Sequence, residues 1–200
     1  DARPFDAEGD GTILGEGVGM VALKRLADAQ RDGDRVYAVI KGIGSSSDGR
    51  GRAIYAPSDA GQAKALRRAY ERAGVDARSI ELVEAHGTGT KVGDATEIKA
   101  LVEVFGQAEL GQPPWCALGS VKSQIGHTKA AAGVSGLIKI ALALHRKVLP
   151  PSIKARKPLP ILRQERTPLY LNNALRPWLS SSDSPRRAAL SALGFGGSNF

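Results

Sequence analysis

Residues 117–139 constrain the fold more than any other stretch, because they pass from a strand pattern to a helix pattern within a few residues. The segment begins apolar, breaks at Gly126, presents His127 and continues into residues 130–133, three alanines and a glycine. Side chains this small allow the start of a helix to lie close to another backbone. Open α/β sheets bind ligands outside the carboxyl ends of their strands. We therefore expect His127 to face a binding site.

A second junction of the same kind lies upstream. Residues 82–85 (LVEA) have the pattern of a buried strand and run into residues 86–90 (HGTGT), so that His86 also follows a strand end. A single histidine in such a place is more often structural than catalytic, but two in matching positions favour a shared site. If their strands are neighbours, His86 and His127 converge over one pocket.

The rest of the chain alternates strand and helix patterns. Helices are predicted at residues 26–31, 59–73, 94–105 and 130–144, with capping boxes at Asp59 and Asp94 and a glycine cap at Gly74. Strands are predicted at residues 18–23, 36–40, 80–85, 116–121, 169–171 and 188–193. This order predicts an α/β fold, with a mixed five-stranded sheet covered by helices on both faces.

Three polar stretches are predicted as loops. Residues 1–17 are rich in glycine and acidic residues, but they lack the closing glutamate of an EF-hand, so a buried, turn-rich loop is favoured over a calcium site. Residues 42–57 form a long glycine- and serine-rich connection, and residues 180–185 form a polar turn.

Composition narrows the class of function. The 200-residue chain has no run of about 18 apolar residues and no leader-like N-terminus, so we expect neither a membrane span nor a signal peptide. It also lacks an initiator methionine, which indicates part of a longer polypeptide. The single cysteine, Cys116, excludes an internal disulfide and is typical of a reducing, cytoplasmic compartment. The net charge of +8 fits solvated helix faces or an acidic partner.

The candidate residues point to carbanion and acyl chemistry. A neutral imidazole can donate its Nε2–H to a developing enolate, and Lys122 favours a neutral imidazole nearby. Thr88 and Thr90 offer hydroxyls to a polar arm, and the turn at residues 194–197 offers backbone N–H groups for an oxyanion hole. No metal is expected, because neither histidine has a second ligand three or four residues away and Cys116 lies apart from both.

Four segments, in order, resemble motifs of the β-ketoacyl synthases. They are residues 3–6 (RPFD) with 15–19 (GEGVG), 86–90 (HGTGT), 122–127 (KSQIGH) and 194–199 (GFGGSN). The resemblance covers essentially the whole chain. It is closest to type I polyketide synthases and, within them, to the ketosynthases of polyunsaturated fatty acid synthases, as residues 90–97 (TKVGDATE) and 118–124 (LGSVKSQ) indicate.

The resemblance implies a thiolase-like fold of layers αβαβα, built from two similar halves and usually homodimeric. Residues 1–34 would end the first half, and residues 35–200 would form nearly all of the second. The implied reaction is decarboxylative Claisen condensation of malonyl-acyl carrier protein with an acyl thioester on a cysteine. No cofactor is expected to bind directly, because the phosphopantetheine arm of the acyl carrier protein carries the substrate.

The resemblance also implies roles for individual residues. The catalytic residues would be His86, His127 and Lys122. Those that contact the substrate arm or the oxyanion would be Thr88, Thr90, Gly194, Phe195 and Gly196. In this scheme Phe195 is the gating phenylalanine, and the two threonines line the phosphopantetheine channel.

The chain departs from the family pattern in three places. Cys116 lacks the context of the family nucleophile, so we expect a core thiol here and the nucleophile in an upstream half. Gly136 stands where many stand-alone ketosynthases have a glutamate paired with the lysine, which leaves the partner of Lys122 open. Leu193 replaces a frequent aromatic residue.

Two other functions remain open at this point. One is a non-condensing domain of the chain-length-factor type, which only binds acyl carrier protein. The other is a basic module that binds nucleic acid, although the basic residues are not interleaved with aromatic ones and no nucleic-acid motif is present.

Overall fold

The computed structural model describes residues 1–49, 56–180 and 184–200. Residues 50–55 of the predicted connection and residues 181–183 of the predicted polar turn lie outside the described residues. The helices are α1 (Leu26–Asp32), α2 (Asp59–Ala73), α3 (Lys91–Phe105), α4 (Lys122–Ile125) and α5 (Ala132–Arg146). Short 3-10 helices span Ala77–Ser79, Lys129–Ala131 and Pro160–Arg163. The strands are β1 (Ser46–Ser47), β2 (Leu82–Glu84), β3 (Cys116–Gly119), β4 (Val148–Leu149), β5 (Leu169–Leu171), β6 (Arg176–Pro177), β7 (Ala188–Leu190), β8 (Leu193–Gly194) and β9 (Ser198–Asn199).

The central sheet has four strands in the order β5-β3-β2-β7. All three of its pairings are parallel, with Leu82 opposite both Ala117 and Ala188. The predicted mixed five-stranded sheet is therefore wrong in detail. Antiparallel pairing is found instead in two small separate sheets, β1-β9-β8 and β4-β6.

The two faces of this sheet are covered by different helices, as predicted. Successive strand residues point to opposite faces. Val83 and Leu118 pack with the α3 residues Ile98 and Leu101 in the larger core cluster. Leu82 and Ala117 belong to a second cluster on the other side, with Ala143 of α5 and Trp178. The core therefore lies on both sides of β2 and β3, which holds the carboxyl ends of these strands in place.

The helix ends follow local sequence signals only in part. At α2, Gly74 ends the helix with a φ of 62°, as predicted. The predicted capping box at Asp59 is wrong, because Ser58 occupies the N-cap and its hydroxyl accepts the backbone N–H of Gly61. The α3 helix starts at Lys91, three residues before the predicted capping box at Asp94. The start of α5 moves in the other direction, to Ala132, because the preceding residues form a 3-10 turn.

Two predicted strands do not form. Residues 18–23 and 36–40 have no strand pairing, and the side chains of Val18 and Met20 are 94% and 91% exposed. A strand is stable only when its backbone groups pair with a neighbour. Among the described residues neither segment has such a neighbour, and residues 38–44 face β7 across an apolar cleft of about 340 Å³.

The buried loop predicted at residues 1–17 is confirmed only for its first part, since most of residues 10–17 are exposed. Phe5 is completely buried, and the Asp6 carboxylate accepts the backbone N–H groups of Glu8, Arg156 and Lys157. These bonds, with the Arg3 guanidinium, lower the pKa of Asp6 against the opposing effect of burial. No α-helix in the described part of the chain is long and apolar enough to cross a membrane.

Candidate active site

The side chains of the two histidines that follow strand ends lie next to each other. Because β2 and β3 are adjacent and parallel, the residues that follow them emerge at the same edge of the sheet. The ring centroids of His86 and His127 lie 5.4 Å apart, and their planes are inclined by 83°. The structure therefore brings the two rings together over one place, as the matching positions in the sequence predict.

Both rings are oriented by backbone N–H groups. The Nδ1 atom of His127 accepts the N–H of Lys129 at 3.1 Å, and the Nδ1 atom of His86 accepts the N–H of Leu193 at 3.3 Å. A nitrogen that accepts a hydrogen bond carries no proton, so a neutral ring must carry its proton on Nε2. Each histidine therefore presents an Nε2–H donor.

The surroundings keep both rings neutral. Burial, followed by the charges of Lys122 and His127, lowers the pKa of His86 to about 3. Burial, Lys122 and Lys129 also lower the pKa of His127. Both side chains are therefore uncharged near pH 7, the state in which an imidazole can donate a hydrogen bond and still hold its proton.

Glu97 fixes the backbone at His86. Its carboxylate accepts the N–H groups of His86 at 2.7 Å and Gly87 at 2.9 Å. Gly87 has a φ of 43°, and a Cβ there would lie 2.9 Å from the Phe5 ring, so only glycine fits. Burial raises the pKa of Glu97 to about 7, although these two bonds favour the charged form.

Asp94 performs the same task one turn earlier in α3. Its carboxylate accepts the backbone N–H groups of Phe5 at 2.7 Å, Thr88 at 3.0 Å and Gly89 at 3.2 Å. Burial raises its pKa to about 6. The spacing of Asp94 and Glu97 predicts a capping box, and that prediction is wrong here. Asp94 and Glu97 instead accept backbone N–H groups of the loop that carries His86. Their three-residue spacing is also the sequence signal that could have indicated this role.

Lys122 is 5% exposed and lies at the start of α4, directly after β3. Burial lowers its pKa, while the nearby carboxylates of Glu97, Glu84 and Asp94 oppose that change. Its positive charge lowers the pKa of both histidines.

The N-terminal segment holds the backbone of His127, a contribution that sequence reasoning missed. His127 donates its backbone N–H to the carbonyl of Ile13 at 2.8 Å, and its carbonyl accepts the N–H of Gly15 at 3.1 Å, which makes a parallel bridge with Leu14. A Cβ at Gly15 would lie 2.0 Å from the carbonyl oxygen of Ile125. The glycine permits this close approach.

The two threonines lie beside the site. Their hydroxyl oxygens are 3.0 Å apart, and both residues are half-buried. Thr90 occupies the N-cap position of α3, but its side chain makes no capping bond there. Their predicted contact with a substrate arm stays a prediction.

The glycine-rich turn joins β8 to β9. Leu193, which begins this hairpin, donates its N–H to His86 and thereby attaches the hairpin to the site. Gly194, Phe195 and Gly196 are exposed at its tip, and the side chain of Phe195 is 92% exposed. One N–H of the turn, that of Gly197, bonds to the carbonyl of Gly194.

Cys116 lies away from this chemistry. It is completely buried at the beginning of β3, whereas the histidines follow strand ends. Burial raises the pKa of its thiol well above the ordinary value, which makes a thiolate unfavourable. It is a core thiol, as expected. The part of the chain that the structure describes has no group of three or more side chains suited to hold a metal ion.

The fold and the site together define a class: thiolase-like α/β proteins with paired histidines at the ends of adjacent strands. Residues 37–156 match the family described as "Beta-ketoacyl synthase, C-terminal domain", and residues 1–29 match its "N-terminal domain". The chain belongs to the β-ketoacyl synthase family.

Named relatives agree with this assignment. The chain is 49% identical to a polyunsaturated fatty acid synthase polypeptide of Thraustochytrium sp. and 44% identical to the polyketide synthase PksL of Bacillus subtilis. These matches cover 99% and 98% of the chain, but only 7% and 4% of those proteins.

Solved structures give the same result. The ketosynthase from module 6 of the bacillaene synthase of Bacillus subtilis superposes with a TM-score of 0.93 at 43% identity. The oxazolomycin ketosynthase domain OzmH KS7 of Streptomyces albus superposes with a TM-score of 0.90 at 39% identity. Each match covers 99% of this chain and 35% of the other.

Proposed function

We propose that this chain supplies the two histidines of a β-ketoacyl synthase that condenses malonyl-acyl carrier protein with an enzyme-bound acyl thioester. The observation that carries the proposal is the pair of Nε2–H donors, each fixed by a backbone N–H on Nδ1. The lowered pKa of both rings keeps these donors neutral.

The chemistry begins with decarboxylation. The bond between the α-carbon and the free carboxyl carbon of the malonyl group breaks, carbon dioxide leaves, and the electron pair moves onto the thioester to form an enolate. The enolate oxygen accepts hydrogen bonds from the Nε2–H groups of His86 and His127, and the nearby Lys122 adds a stabilising positive charge. The enolate carbon then attacks the acyl thioester, a carbon–carbon bond forms, and the thiolate leaves.

The substrate arm is phosphopantetheine on an acyl carrier protein. The adjacent hydroxyls of Thr88 and Thr90 suit the amide groups of such an arm. Phe195, with Gly194 and Gly196, is proposed to gate the pocket and to supply the oxyanion N–H. A carrier protein of acidic character would suit the net charge of +8.

The nucleophile is proposed to come from outside this chain. Cys116 is buried in the core with a raised pKa, and the match to the family's N-terminal domain spans only residues 1–29. We therefore propose an upstream half that carries the catalytic cysteine, a boundary between residues 34 and 35, and a homodimer. A cytoplasmic location is part of this proposal and rests on the single cysteine.

The test uses the native polypeptide that contains this chain. Malonyl-loaded carrier protein should release carbon dioxide, and His127→Ala should reduce that rate by about 10²–10³-fold. The matched control is His145→Ala, because His145 is exposed at the end of α5 and packs on Tyr37.

Mass spectrometry after incubation with acyl-loaded carrier protein identifies the nucleophile. Acylation of a cysteine upstream of residue 1 supports the proposal, whereas acylation of Cys116 contradicts it. Carrier binding with neither acylation nor decarboxylation would favour the non-condensing function.

A further inference from the structure

One buried ion pair lies beside the site without contacting either histidine side chain. The Nζ atom of Lys139, on α5, lies 2.6 Å from an oxygen of Glu84, the last residue of β2. The side chains are 11% and 2% exposed. Taking two charges out of water is costly, and such a pair often adds little to stability. The position of this ion pair next to the site therefore indicates a role other than stabilising the fold.

Glu84 connects this pair to the segment that carries Lys122. Its second carboxylate oxygen accepts the backbone N–H of Val121 at 2.5 Å. Val121 immediately precedes Lys122. Burial raises the pKa of Glu84, while Lys139 and the N–H of Val121 favour its charged form, and that charge also acts on Lys122. Glu84 ends the strand that leads to His86, so its one carboxylate links that strand to α5 and to the residues after β3.

The space for this arrangement exists because residue 136 is glycine. A Cβ there would lie 3.1 Å from Cγ of Glu84 and 2.7 Å from Cδ1 of Leu190. Among the described residues, no carboxylate oxygen lies within 4.0 Å of Lys122. The negative charges that balance Lys122 must therefore act over a longer distance. The carboxylate of Glu84 comes from the sheet, whereas a glutamate at position 136 would come from α5.

We infer that Glu84 and Lys139 are positioning residues: together they set the charge balance around Lys122 and fix the start of the segment that carries Lys122 and His127. This inference rests on the proposed function for its catalytic meaning. The charge balance itself belongs to the structure and can be tested separately.

Several other charged groups share this region, and the test must separate them. The carboxylates of Glu97 and Asp94 on α3 also act on Lys122, and the charge of Lys122 in turn acts on His86 and His127. None of these groups is altered when Glu84 or Lys139 is replaced. Shifts of opposite sign on replacing Glu84 and Lys139 therefore report the contribution of this pair alone.

The experiment replaces each member with a neutral side chain in the native polypeptide that contains this chain. Glu84→Gln removes a negative charge and should lower the pKa of Lys122, whereas Lys139→Met removes a positive charge and should raise it. The pKa is measured by NMR on ¹³C-labelled lysine, with the Lys122 signal identified by its loss in Lys122→Met. A purely structural role would lower stability in both variants without shifts of opposite sign.

The matched control is the exposed pair Arg67 and Glu103, which joins α2 to α3 at 2.5 Å. Neither Arg67→Met nor Glu103→Gln should move the pKa of Lys122. If one single variant fails to fold, the other still tests the direction of its own shift, and the double variant Glu84→Gln/Lys139→Met should bring the pKa back towards the wild-type value.

Shifts of the same sign in Glu84→Gln and Lys139→Met, or no shifts, would overturn the inference. If the variants show these shifts but the wild-type protein does not decarboxylate malonyl-carrier protein, only the proposed function is contradicted.

Discussion

Strand β2 and residues 18–23 have similarly apolar sequences, yet they lie in opposite environments. Val83 and Leu82 in β2 are 0% and 2% exposed, whereas Val18 and Met20 are 94% and 91% exposed. The β2 strand lies between β3 and β7 and has a helix layer on each face. The other segment has no strand partner among the described residues.

This difference shows that an apolar sequence pattern predicts that a segment is buried, but not which part of the protein covers it. Residues 36–40 repeat the pattern of residues 18–23, with Val36, Val39 and Ile40 between 39% and 50% exposed. Neighbouring exposed apolar side chains are typical of interaction sites, and the proposed upstream half or a second copy of the chain would cover them.

The largest effect should come from the buried side of the comparison. Leu118→Ala removes a side chain that is 0% exposed between β2 and the α3 face. The free energy of unfolding should fall by about 2–5 kcal/mol, because the deletion leaves a cavity. Urea unfolding followed by the fluorescence of Trp115 and Trp178 measures the loss. A change below about 1 kcal/mol would contradict a close-packed core here.

The next largest effect is expected at Glu97, which binds the backbone directly after β2. Glu97 is buried with a pKa raised to about 7, compared with 4.5 when exposed. The folded state therefore binds the proton more tightly, and the stability that Glu97 contributes is lost as the pH rises from about 4.5 to 7.

The comparison with Glu97→Gln isolates this dependence from the histidines, whose lowered pKa values act in the opposite direction. The free energy of unfolding of the wild type should fall by about 3 kcal/mol relative to the variant across that window. Urea titrations at several pH values provide the test. A wild type that gains stability relative to Glu97→Gln with rising pH would show that the two N–H bonds outweigh burial.

Sequence reasoning reached the strand ends and histidines because those signals are local. The HGTGT segment marks where β2 stops, whereas Gly126 ends the short helix α4 that lies between β3 and His127. The role of Asp94 and Glu97 could not be predicted in the same way. Two acidic residues three positions apart give the same sequence pattern whether they cap a helix or bind the backbone of a loop. The tertiary contact of residues 86–89 with α3 decides between the two roles, and the sequence does not show that contact. The exposure of residues 18–23 likewise depends on which strands are present.

A smaller effect is expected where the first segment supports the site. Gly15→Ala would place a Cβ 2.0 Å from the carbonyl oxygen of Ile125, so the backbone must move. We expect a loss of about 1–3 kcal/mol. The bridge between Leu14 and His127 should weaken, which hydrogen exchange at the amide of His127 would detect. Unchanged protection of that amide would show that the bridge does not hold the histidine.

The smallest effect tests the exposed side of the comparison. Val18→Ser should change the free energy of unfolding of the 200-residue chain by less than about 0.5 kcal/mol, because the side chain is 94% exposed. In the native polypeptide the same substitution should cost about 1–3 kcal/mol if another strand or a second copy covers this segment. The same small value in both would mean that residues 18–23 stay uncovered, and the apolar pattern there would then need a different explanation from that of β2.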